Sequence, residues 1–507
     1  MTQPGLTIGV DIGTSSSKGV LVDQSGRVLH TVVVNHEVQR PRPGHVEMDA
    51  AVWWQEFVTI ARELAQYAAD AIVAVGVSGM GPCVLLTDAA GQPLRPAILY
   101  GVDTRAGDQI AQLNETLGEQ AIFARCGSAL SSQAAGPKLA WIAENEPELW
   151  TRAAKLFMPA SWLAWNLTGA YVLDHHSASQ CTPLYDTTAL DWYSPWADEI
   201  VGNLKLPALA WPGDIAGIIS DAAATDTGLP AGIPVIVGTI DAWTEAISVG
   251  AQGPGDLMLM YGTTMFLINT SPTRVVQSAL WGTVGAVPST WNLAAGMATS
   301  GAITGWLRTV FGSPDFPTLL AEAARSPVGS NGLLMLPYFA GERTPISDPD
   351  ARGVIAGLTV EHTRGDLYRA ALEATAFGIR HNIHEMRQAG AVIDRIVAAG
   401  GGTQGSLWPQ IVSDVTGLVQ EIPTVTIGAS FGAAYLAAAA VATNDAVSMS
   451  TWNPPAVDVI PNPDSAAVYD AIFADYLALY PATQAISHRR ARLQHDSADQ
   501  RRASATA

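Results

Sequence analysis

The sequence predicts an α/β protein made of two structurally similar domains, and three observations support this prediction. Over the first part of the chain, β-branched segments alternate with segments of helical periodicity. A strand, a tight loop and a second strand occupy 7–23, and the same pattern returns at 256–269. The chain of 507 residues is long enough for about two to four domains, each with a sizeable core.

Composition and charge exclude several classes of partner. Apolar residues make up 48% of the chain and charged residues 14%, which is typical of a globular protein. The net charge of −19 opposes binding to nucleic acid and to an anionic membrane surface, so we expect neither as a partner. The longest apolar stretch, 431–442, is too short to span a bilayer and predicts a buried helix. Three cysteines outside any C-x-x-C motif, and the lack of a signal-peptide pattern, indicate a cytoplasmic protein.

The first tight loop has the residues of a phosphate-binding loop. A β-branched strand ends in Asp11 and Gly13, a row of hydroxyl residues follows, and a second strand begins at Lys18. Glycine and backbone N–H groups in such a loop can approach an anion closely. Asp11 would repel a phosphate unless a divalent cation lay between the two. The pattern D-x-G-T is short, however, and an ordinary hairpin with a polar turn accounts for it equally well.

The elements that follow alternate between strand and helix. Trp53, Phe57 and Ile60 recur at helical spacing within 51–69, which predicts an amphipathic helix. A turn rich in glycine and proline, 79–82, then interrupts the extended segments. Further strands are predicted at 28–34, 71–78, 84–87 and 235–237, and a largely helical segment at 138–168.

Three later motifs have the residues of a ligand site. Asp241 comes directly after a buried strand, at the predicted start of a helix, where an N-cap aspartate is the common alternative. The loop 262–264 joins the two strands of the second hairpin. Three glycines at 400–402 follow a strand that begins at Arg395 and precede a helix predicted from Leu407. Consecutive glycines let the backbone approach a flat or anionic ligand, although close packing of a helix on a strand also accounts for them.

The order of these motifs resembles that of the FGGY carbohydrate kinases. The chain carries D-x-G-T at 11–14, G-x-x-D at 238–241, Y-G-T at 261–263 and G-G-G at 400–402, in the order of that family. Residues 353–373 fit the second signature of the family throughout, and 338–353 are similar to its xylulokinase-like (pentulose kinase) branch. The first signature, around Lys138, is kept only in part. The resemblance extends from about residue 7 to 445.

The resemblance implies a fold, an activity and a set of ligands. The implied fold is two actin-like (ribonuclease H-like) ATPase domains with a catalytic cleft between them. The expected boundaries are 1–250 for the N-terminal domain, 251–487 for the C-terminal domain and 488–507 for a polar tail that frays. The implied activity is transfer of the γ-phosphoryl group of ATP to a hydroxyl of a sugar, polyol or sugar acid, with Mg²⁺ as the cation. A homodimer is also expected, because dimers are frequent in the family.

Matching positions imply roles for individual residues. Asp241 is the expected general base for the acceptor hydroxyl, and Asp11 and Asp241 are the expected Mg²⁺ residues. The expected first phosphate loop contains Gly13, Thr14, Ser15 and Lys18. Lys18 is equally well explained as a solvated strand residue. The second phosphate loop and the adenosine site are expected at Gly262, Thr263, Thr264, Gly401, Gly402 and Gln404.

The residues expected to face the acceptor depart from the family pattern. The Met-His pair of xylulokinases falls on Gly81 and Pro82, and a tryptophan of the family falls on Gly101, so we expect a roomier and less polar pocket. The Arg-Glu pair of glycerol kinases is absent from this loop. The expected substrate contacts are Met80, Gly81, Pro82, Asp103, Arg105 and Asp241.

These departures leave the acceptor open. A ketopentose is favoured, although the missing imidazole and indole make D-xylulose itself less favoured as the acceptor. The missing Arg-Glu pair nearly excludes glycerol. Gluconate and a tetritol are the alternatives, and an actin- or Hsp70-like ATPase without a sugar substrate is the alternative from a different class. His175 and His176 point apart, which excludes joint metal binding, but one of them is a candidate sugar contact. Trp243 is a candidate pocket wall, and core packing accounts for it as well.

Overall fold

The computed structural model describes residues 5–442 and 447–505, and these divide into two compact units. Unit 1 contains the described residues of Met1–Pro254, Thr270–Asn292 and Thr424–Pro454. Unit 2 contains those of Gly255–Asn269, Leu293–Pro423 and Pro455–Ala507. The chain first leaves unit 1 close to the predicted boundary at 250, but it returns there twice, so no single cut in the sequence separates the units. Residue 445, the expected end of the family resemblance, lies outside the described residues.

Most strands are short and are separated by helices or turns. In chain order they are β1 Leu6–Ile12, β2 Ser16–Val22, β3 Val28–Asn35, β4 Glu47–Met48, β5 Ile72–Gly79, β6 Leu85–Thr87, β7 Ala97–Ile98, β8 Lys155–Phe157, β9 Val172–Asp174, β10 Tyr185–Asp186, β11 Asp191–Trp192, β12 Ala208–Ala210, β13 Ile215–Ile218, β14 Pro234–Ile236, β15 Thr239–Ile240, β16 Asp256–Tyr261, β17 Met265–Ser271, β18 Trp281–Val284, β19 Trp291–Met297, β20 Leu334–Leu336, β21 Val354–Ala356, β22 Arg395–Ala399, β23 Gln420–Pro423 and β24 Pro455–Val459.

The α-helices range from single turns to one very long C-terminal helix. In chain order they are α1 Ala50–Ala68, α2 Gly107–Leu113, α3 Glu119–Cys126, α4 Ala135–Asn145, α5 Pro147–Trp150, α6 Pro159–Thr168, α7 His175–Ser179, α8 Ser194–Val201, α9 Asp221–Thr227, α10 Asp241–Ser248, α11 Gly301–Val310, α12 Phe316–Arg325, α13 Arg364–Gln388, α14 Leu407–Thr416, α15 Ala429–Val441, α16 Met449–Trp452 and α17 Pro463–Ala505.

The predicted elements are confirmed with small shifts of their ends. The strands predicted at 28–34, 71–78, 84–87 and 235–237 are β3, β5, β6 and β14, each shifted by one residue at most. The predicted helix at 51–69 is α1, and the apolar run at 431–442 lies in α15. The segment 138–168 is less helical than predicted, because β8 interrupts it to pair with β6. That pairing joins residues about 70 positions apart, so local periodicity does not reveal it.

The sheet of unit 1 has the order β13-β14-β5-β1-β2-β3, and β15 also pairs with β5. β1 and β2 form an antiparallel hairpin, whereas β1 and β15 each run parallel to β5. Parallel strands end at the same edge of a sheet. The carboxyl ends of β1, β5 and β15 therefore meet at one edge, where Ile12 and Ile240 both pair with Gly79.

Helices cover both faces of this sheet. α1 contributes Trp53, Phe57 and Ile60, all fully buried in the main core cluster of unit 1. Its first turn is capped by Asp49, whose side chain accepts a hydrogen bond from Ala51 N. α15 packs against β1, β5 and α10. Most of α15 is buried, as predicted from its apolar run.

Three glycines allow α15 to pack backbone against backbone. A Cβ at Gly9 in β1 would overlap the carbonyl oxygen of Ser430, and one at Gly76 in β5 would overlap that of Ala433. On the other side of α15, a Cβ at Gly432 would overlap the carbonyl oxygen of Thr244 in α10. The sheet, α15 and α10 are thus held closer together than any side chain would permit.

Unit 2 repeats the hairpin arrangement of unit 1. β16 and β17 form an antiparallel hairpin in which Leu257 pairs with Asn269, and β22 runs parallel to β16 on its other side. β23 and β24 extend this sheet beyond β22. The repetition of hairpin and neighbouring parallel strand confirms the echo between the two parts of the sequence.

The long helices α13 and α17 belong to unit 2. α13 begins with a capping box between Thr363 and Asp366. α17 continues as a helix as far as Ala505, so the expectation that the chain frays from His488 is wrong for the described residues. His488 instead contacts Asp348, with 2.7 Å between Nε2 and Oδ2, and Ala491 is fully buried. Among the described residues, no helix has both the length and the apolar composition that a membrane crossing requires.

The paired histidines of α7 are packing residues of unit 1. The fully buried His176 donates a hydrogen bond from Nδ1 to the carbonyl of Val284 at 2.7 Å, and its ring lies 3.7 Å from that of Trp243. Burial lowers the pKa of His176 to about 3. His175 is half-buried, and its Nδ1 lies 2.8 Å from the hydroxyl of Tyr185. Both rings and Trp243 therefore have packing partners, and a sugar contact for them stays a prediction.

We expect Gly9→Ala to lower the free energy of unfolding by about 1–3 kcal/mol or more, because the added methyl group meets backbone atoms of α15 that cannot move aside. Urea unfolding followed by circular dichroism measures the loss. Gly107→Ala is the matched control, since no atom lies within 4 Å of a Cβ built there. Equal stability of the two variants would contradict the packing argument.

We expect His176→Asn to flatten the dependence of stability on pH. The unfolded chain binds a proton at His176 below pH 6.5, whereas the folded chain does so only near the lowered pKa of about 3. Stability therefore falls as the pH drops through this window, by up to about 2 kcal/mol between pH 7.5 and 5. Urea unfolding at both pH values measures the difference. The partly exposed His30, replaced by Asn, serves as the control, and an unchanged pH dependence in His176→Asn would contradict this expectation.

Candidate active site

Two aspartates lie at the edge of unit 1 where β1, β5 and β15 end. Asp11 is in β1, in register with Ser78 of β5 and with Lys18 of β2. Asp241 directly follows β15 and is the first residue of α10. Its Oδ1 accepts a hydrogen bond from Ala242 N at 2.7 Å. Ile240, not Asp241, is the N-cap of α10, so the alternative of a capping aspartate is wrong.

The two carboxylates repel one another in a poorly solvated site. Burial, followed by the charges of Asp241 and Glu245, raises the pKa of Asp11 to about 8, although the hydroxyl of Ser78 and the charge of Lys18 oppose this. Burial likewise raises the pKa of Asp241 to about 6. Atom Oδ1 of Asp11 is inaccessible to water and has no hydrogen-bond partner among the residues that the structure describes. Ionisation of both carboxylates is therefore unfavourable without a cation, and Asp11 offers an unused oxygen ligand.

This donor set fits a hard divalent cation. Carboxylate oxygens are the ligands that Mg²⁺ prefers, and Mg²⁺ usually keeps several waters besides one or two protein carboxylates. Among the described residues, no group of three or more His, Cys, Asp or Glu side chains is arranged to hold a metal. A cation at Asp11 would accordingly depend on water and substrate oxygens for most of its ligands.

Glu245 is a third carboxylate at this edge, and the sequence prediction missed it. It lies one turn after Asp241 in α10, and burial raises its pKa to about 7. The positive charge of Lys18 and a hydrogen bond from Ala429 N oppose this rise in pKa. A Cβ at Gly428 would lie 2.5 Å from Oε2 of Glu245, so this glycine leaves room for the carboxylate. Its spacing of four residues from Asp241 is the signal that would have indicated it.

The predicted first phosphate loop lies beside these carboxylates. Gly13 N donates to Ser16 O at 3.1 Å and closes the turn, and Ser15 is exposed. The hydroxyl groups of Thr14 and Tyr100 lie 2.9 Å apart. Lys18 is not a solvated strand residue, since its Nζ donates to the carbonyl of Ile427 at 3.0 Å. The loop therefore leaves the hydroxyl of Ser15 free to meet a ligand, while Thr14 and Lys18 are oriented by neighbours.

The turn 79–82 packs against the strand that leads to Asp241. Met80 is fully buried in the core of unit 1, and Pro82 is also buried. A Cβ at Gly81 would lie 2.6 Å from Cγ1 of Ile240, so only glycine allows this approach. Of the three residues of this turn that were expected to contact substrate, Gly81 alone is partly exposed.

The structure corrects the expectation of a roomier, less polar pocket at Gly101. The side chain of Gln133 occupies the space that a side chain at Gly101 would fill, with Cδ 2.7 Å from a Cβ built there. Oε1 of Gln133 accepts from Gly101 N at 3.0 Å, and Ser132 Oγ donates to Gly101 O at 3.0 Å. A polar amide thus packs on Gly101, the position at which the family pattern has a tryptophan, in a contact between residues distant in the sequence.

Lys138 holds the backbone at Tyr100. The sequence prediction missed Tyr100, as it missed Glu245. The buried ammonium group donates to the carbonyls of Leu99 at 2.7 Å and Tyr100 at 3.0 Å. Burial lowers the pKa of Lys138 to about 8. In the sequence, the position of an aromatic residue directly before Gly101 was the signal that could have indicated Tyr100. Lys138, the residue kept from the first family signature, therefore positions the tyrosine that contacts Thr14.

Asp103 and Arg105 form an internal ion pair. Their side chains are 0% and 1% exposed, and Arg105 Nη2 lies 2.7 Å from Asp103 Oδ2. Arg105 also pairs with Glu47 at 2.7 Å and lies over the ring of Trp141. The two residues hold neighbouring loops together, and their predicted contact with substrate stays a prediction.

The glycine loops of unit 2 have different surroundings. Gly262 N donates to Thr264 O, and Ser300 N and Gly301 N donate to Thr263 O and Gly262 O, so the first turn of α11 holds this loop. A Cβ at Gly400 would overlap Tyr261 O, and one at Gly402 would lie 2.8 Å from Tyr261 Cβ. Close packing accounts for these two glycines. Gly401 and Gln404 are exposed. No atom of the described residues lies within 4 Å of a Cβ at Gly401, which leaves room for a ligand.

Comparisons with known proteins identify the family of the chain. The N-terminal domain of the FGGY family of carbohydrate kinases matches residues 6–248, and the C-terminal domain of that family matches 257–441. Over 491 residues the chain is 29% identical to xylulose kinase of Staphylococcus epidermidis, covering 95% of this chain and 98% of that protein. Over 454 residues it is 34% identical to a glycerol kinase of Nocardia farcinica, covering 85% of this chain and 89% of that protein.

A solved structure shows the same fold. The xylulose kinase from Rhodospirillum rubrum matches with a TM-score of 0.89 and 30% identity, covering 95% of this chain and all of that one. The match confirms the predicted α/β fold with two actin-like domains. An ATPase without a sugar substrate, the alternative from a different class, is set aside by the family match. Family and structural matches cover nearly the whole chain, and the protein therefore belongs to the FGGY family of carbohydrate kinases.

Proposed function

We propose that this carbohydrate kinase phosphorylates a ketopentose, with Asp241 as the general base and with Mg²⁺ held at Asp11. The activity of the family is ATP-dependent phosphorylation of a sugar hydroxyl. The observation that carries the residue assignment is the pair Asp11 and Asp241 at the common end of β1 and β15, with both pKa values raised.

Asp241 has the properties that proton abstraction requires. The acceptor hydroxyl loses its proton as its oxygen bonds to the γ-phosphorus, and the bond to the leaving ADP oxygen breaks. With a pKa of about 6, Asp241 is mostly ionised at neutral pH yet more basic than an exposed aspartate. Such a base contributes a factor of about 10²–10⁴ to the rate. Because Oδ1 of Asp241 already accepts a hydrogen bond from Ala242 N, Oδ2 is the oxygen that would receive the proton.

The remaining charges suit phosphoryl transfer. Mg²⁺ would neutralise the charge on the phosphate oxygens of ATP, and the unpartnered Oδ1 of Asp11 is its proposed protein ligand, with Asp241 nearby. Thr14, Ser15 and Lys18 are proposed phosphate contacts in unit 1. In unit 2, the loop 262–264 and the exposed residues Gly401 and Gln404 are proposed to bind the nucleotide.

A ketopentose is supported by the relatives and by the polar side chain that packs on Gly101. Xylulose kinases are among the similar proteins and structures, whereas the glycerol kinase relative keeps a polyol as a second candidate. The carboxamide NH₂ of Gln133 makes no hydrogen bond within the described residues, so it is available to an acceptor hydroxyl. Gluconate and a tetritol stay alternative acceptors.

Location and assembly are further proposals. Cys83, Cys126 and Cys181 are free, buried thiols, which supports a reducing cytoplasm. A homodimer rests on the family resemblance, and sedimentation equilibrium would determine the number of subunits.

Asp241→Asn is expected to lower kcat by at least about 10²-fold, because the amide cannot accept the hydroxyl proton. Affinity for Mg²⁺ and the non-hydrolysable analogue AMPPNP is expected to change less than about threefold. A coupled assay of ADP release and isothermal titration calorimetry measure the two quantities. Asp221→Asn, at an exposed position of α9, is the control. Turnover near the wild-type rate in Asp241→Asn would refute the assigned base.

The acceptor itself can be found with a panel of ketopentoses, ketohexoses, gluconate, tetritols and glycerol in the same assay. We expect the highest kcat/KM with a ketopentose, and a higher value with gluconate or a tetritol would replace this proposal.

For the best acceptor, Gln133→Ala is expected to raise KM about tenfold, because one hydrogen bond to the acceptor is lost. KM for ATP is expected to stay unchanged. Gln112→Ala, exposed on α2, is the control. An unchanged acceptor KM in Gln133→Ala would exclude that contact.

A further inference from the structure

We propose that His36 and Glu56 form a buried brace that orients the first phosphate loop, and that the bond from His36 to Gly13 determines the affinity for the nucleotide. This inference rests on the proposed function, since it takes the loop 13–15 to bind phosphate. His36 follows β3 and Glu56 lies in the middle of α1, so neither belongs to the motif that identifies the loop.

His36 contacts the loop with both its ring and its backbone. Ring atom Nε2 lies 3.1 Å from the carbonyl oxygen of Gly13, and backbone N donates to Ser15 O at 3.1 Å. Ring atom Nδ1 lies 2.9 Å from Oε2 of Glu56. The same Oε2 accepts from Ser17 Oγ at 2.5 Å. Gly13, Ser15 and Ser17 are thus all hydrogen-bonded to His36 or Glu56.

These bonds determine where the amide groups of the loop point. In a trans peptide the C=O and the following N–H point in opposite directions. Because the Gly13 carbonyl is bonded to His36, the N–H of Thr14 points away from the brace. The same holds for Ser16 N–H, since the Ser15 carbonyl is bonded to the backbone of His36. An anion needs such N–H groups aligned in advance, so loss of the brace leaves them to be ordered on binding.

Burial makes the brace stiffer than a surface ion pair. The side chains of His36 and Glu56 are 7% and 10% exposed. A second pair on the same two elements, His30 of β3 and Glu63 of α1, has nearly the same separation, 3.1 Å, but is 34% and 51% exposed. Among the described residues, neither His30 nor Glu63 makes a side-chain hydrogen bond to the loop. The pair His30–Glu63 therefore serves as a matched control, because it is a His–Glu contact that does not touch the loop.

Two replacements separate the two ends of the imidazole. Gln places an amide NH₂ near the position of Nε2, so His36→Gln keeps the donor to Gly13 and loses the one to Glu56. Asn places its NH₂ near Nδ1, so His36→Asn keeps the contact with Glu56 and loses the hydrogen bond to the Gly13 carbonyl. Removing the partner of a buried carboxylate is destabilising. Stability is therefore expected to fall at least as far in His36→Gln as in His36→Asn, whereas nucleotide binding is expected to change in the opposite order.

Isothermal titration calorimetry with AMPPNP and MgCl₂, together with thermal unfolding, tests this inference. We expect His36→Asn to weaken binding about tenfold and His36→Gln less than about threefold. In steady-state assays, KM for ATP is expected to rise in His36→Asn while KM for the acceptor does not. His30→Asn and His30→Gln are expected to match the wild type in all three measurements.

Wild-type affinity in His36→Asn, or affinities that simply follow the loss of thermal stability, would overturn the inference. If His36→Asn does not fold, Glu56→Gln replaces it, with binding expected to weaken at least about threefold and unchanged binding again counting against the brace. A wild type that neither binds AMPPNP nor turns over any acceptor would instead refute the proposed function. Failure of the two proposals is therefore distinguishable.

Discussion

The backbone contact between α15 and its neighbours is the constraint on which the rest of unit 1 depends. Gly9, Gly76 and Gly432 bring α15 against β1, β5 and α10 at distances that exclude any side chain. β1 carries Asp11 and α10 begins with Asp241, so the separation of the two carboxylates follows from this packing. Because α15 comes from 429–441, unit 1 is completed by residues that follow most of unit 2 in the sequence.

The electrostatics of the site oppose the stability of the ligand-free protein. After burial itself, the charges of Asp241 and Glu245 raise the pKa of Asp11, and the charge of Asp241 raises that of Glu245, whereas the charge of Lys18 lowers both. Burial alone would favour apolar side chains at these positions. Ionised carboxylates held there are unfavourable on their own, and the proposed cation and substrate hydroxyl would offset that cost.

A second layer of polar contacts holds each loop of the site. His36 contacts the proposed first phosphate loop and Glu56, Tyr100 contacts Thr14, and Gln133 fills the space at Gly101. Each contact joins segments that are far apart in the sequence and involves a residue outside the recognised motifs. The position of Gln133 also shows why a missing side chain in a motif does not imply an empty pocket.

The sequence by itself determined the fold class, the order of the motifs and the principal carboxylates. Strand and helix periodicity located β1, β5, α1 and α15 to within one or two residues, since burial of one face imposes a local pattern. Short motifs identified Asp11 and Asp241 because the spacing of glycine, hydroxyl and acidic residues is itself local. Tertiary structure alone decided which residues support them. Tyr100, Gln133 and His36 make contacts between distant segments, whereas Glu245 had a local signal in its spacing from Asp241. Tertiary structure also buried the side chains of Met80, Asp103 and Arg105 instead of exposing them. Such contacts depend on how the backbone packs, which no local periodicity records.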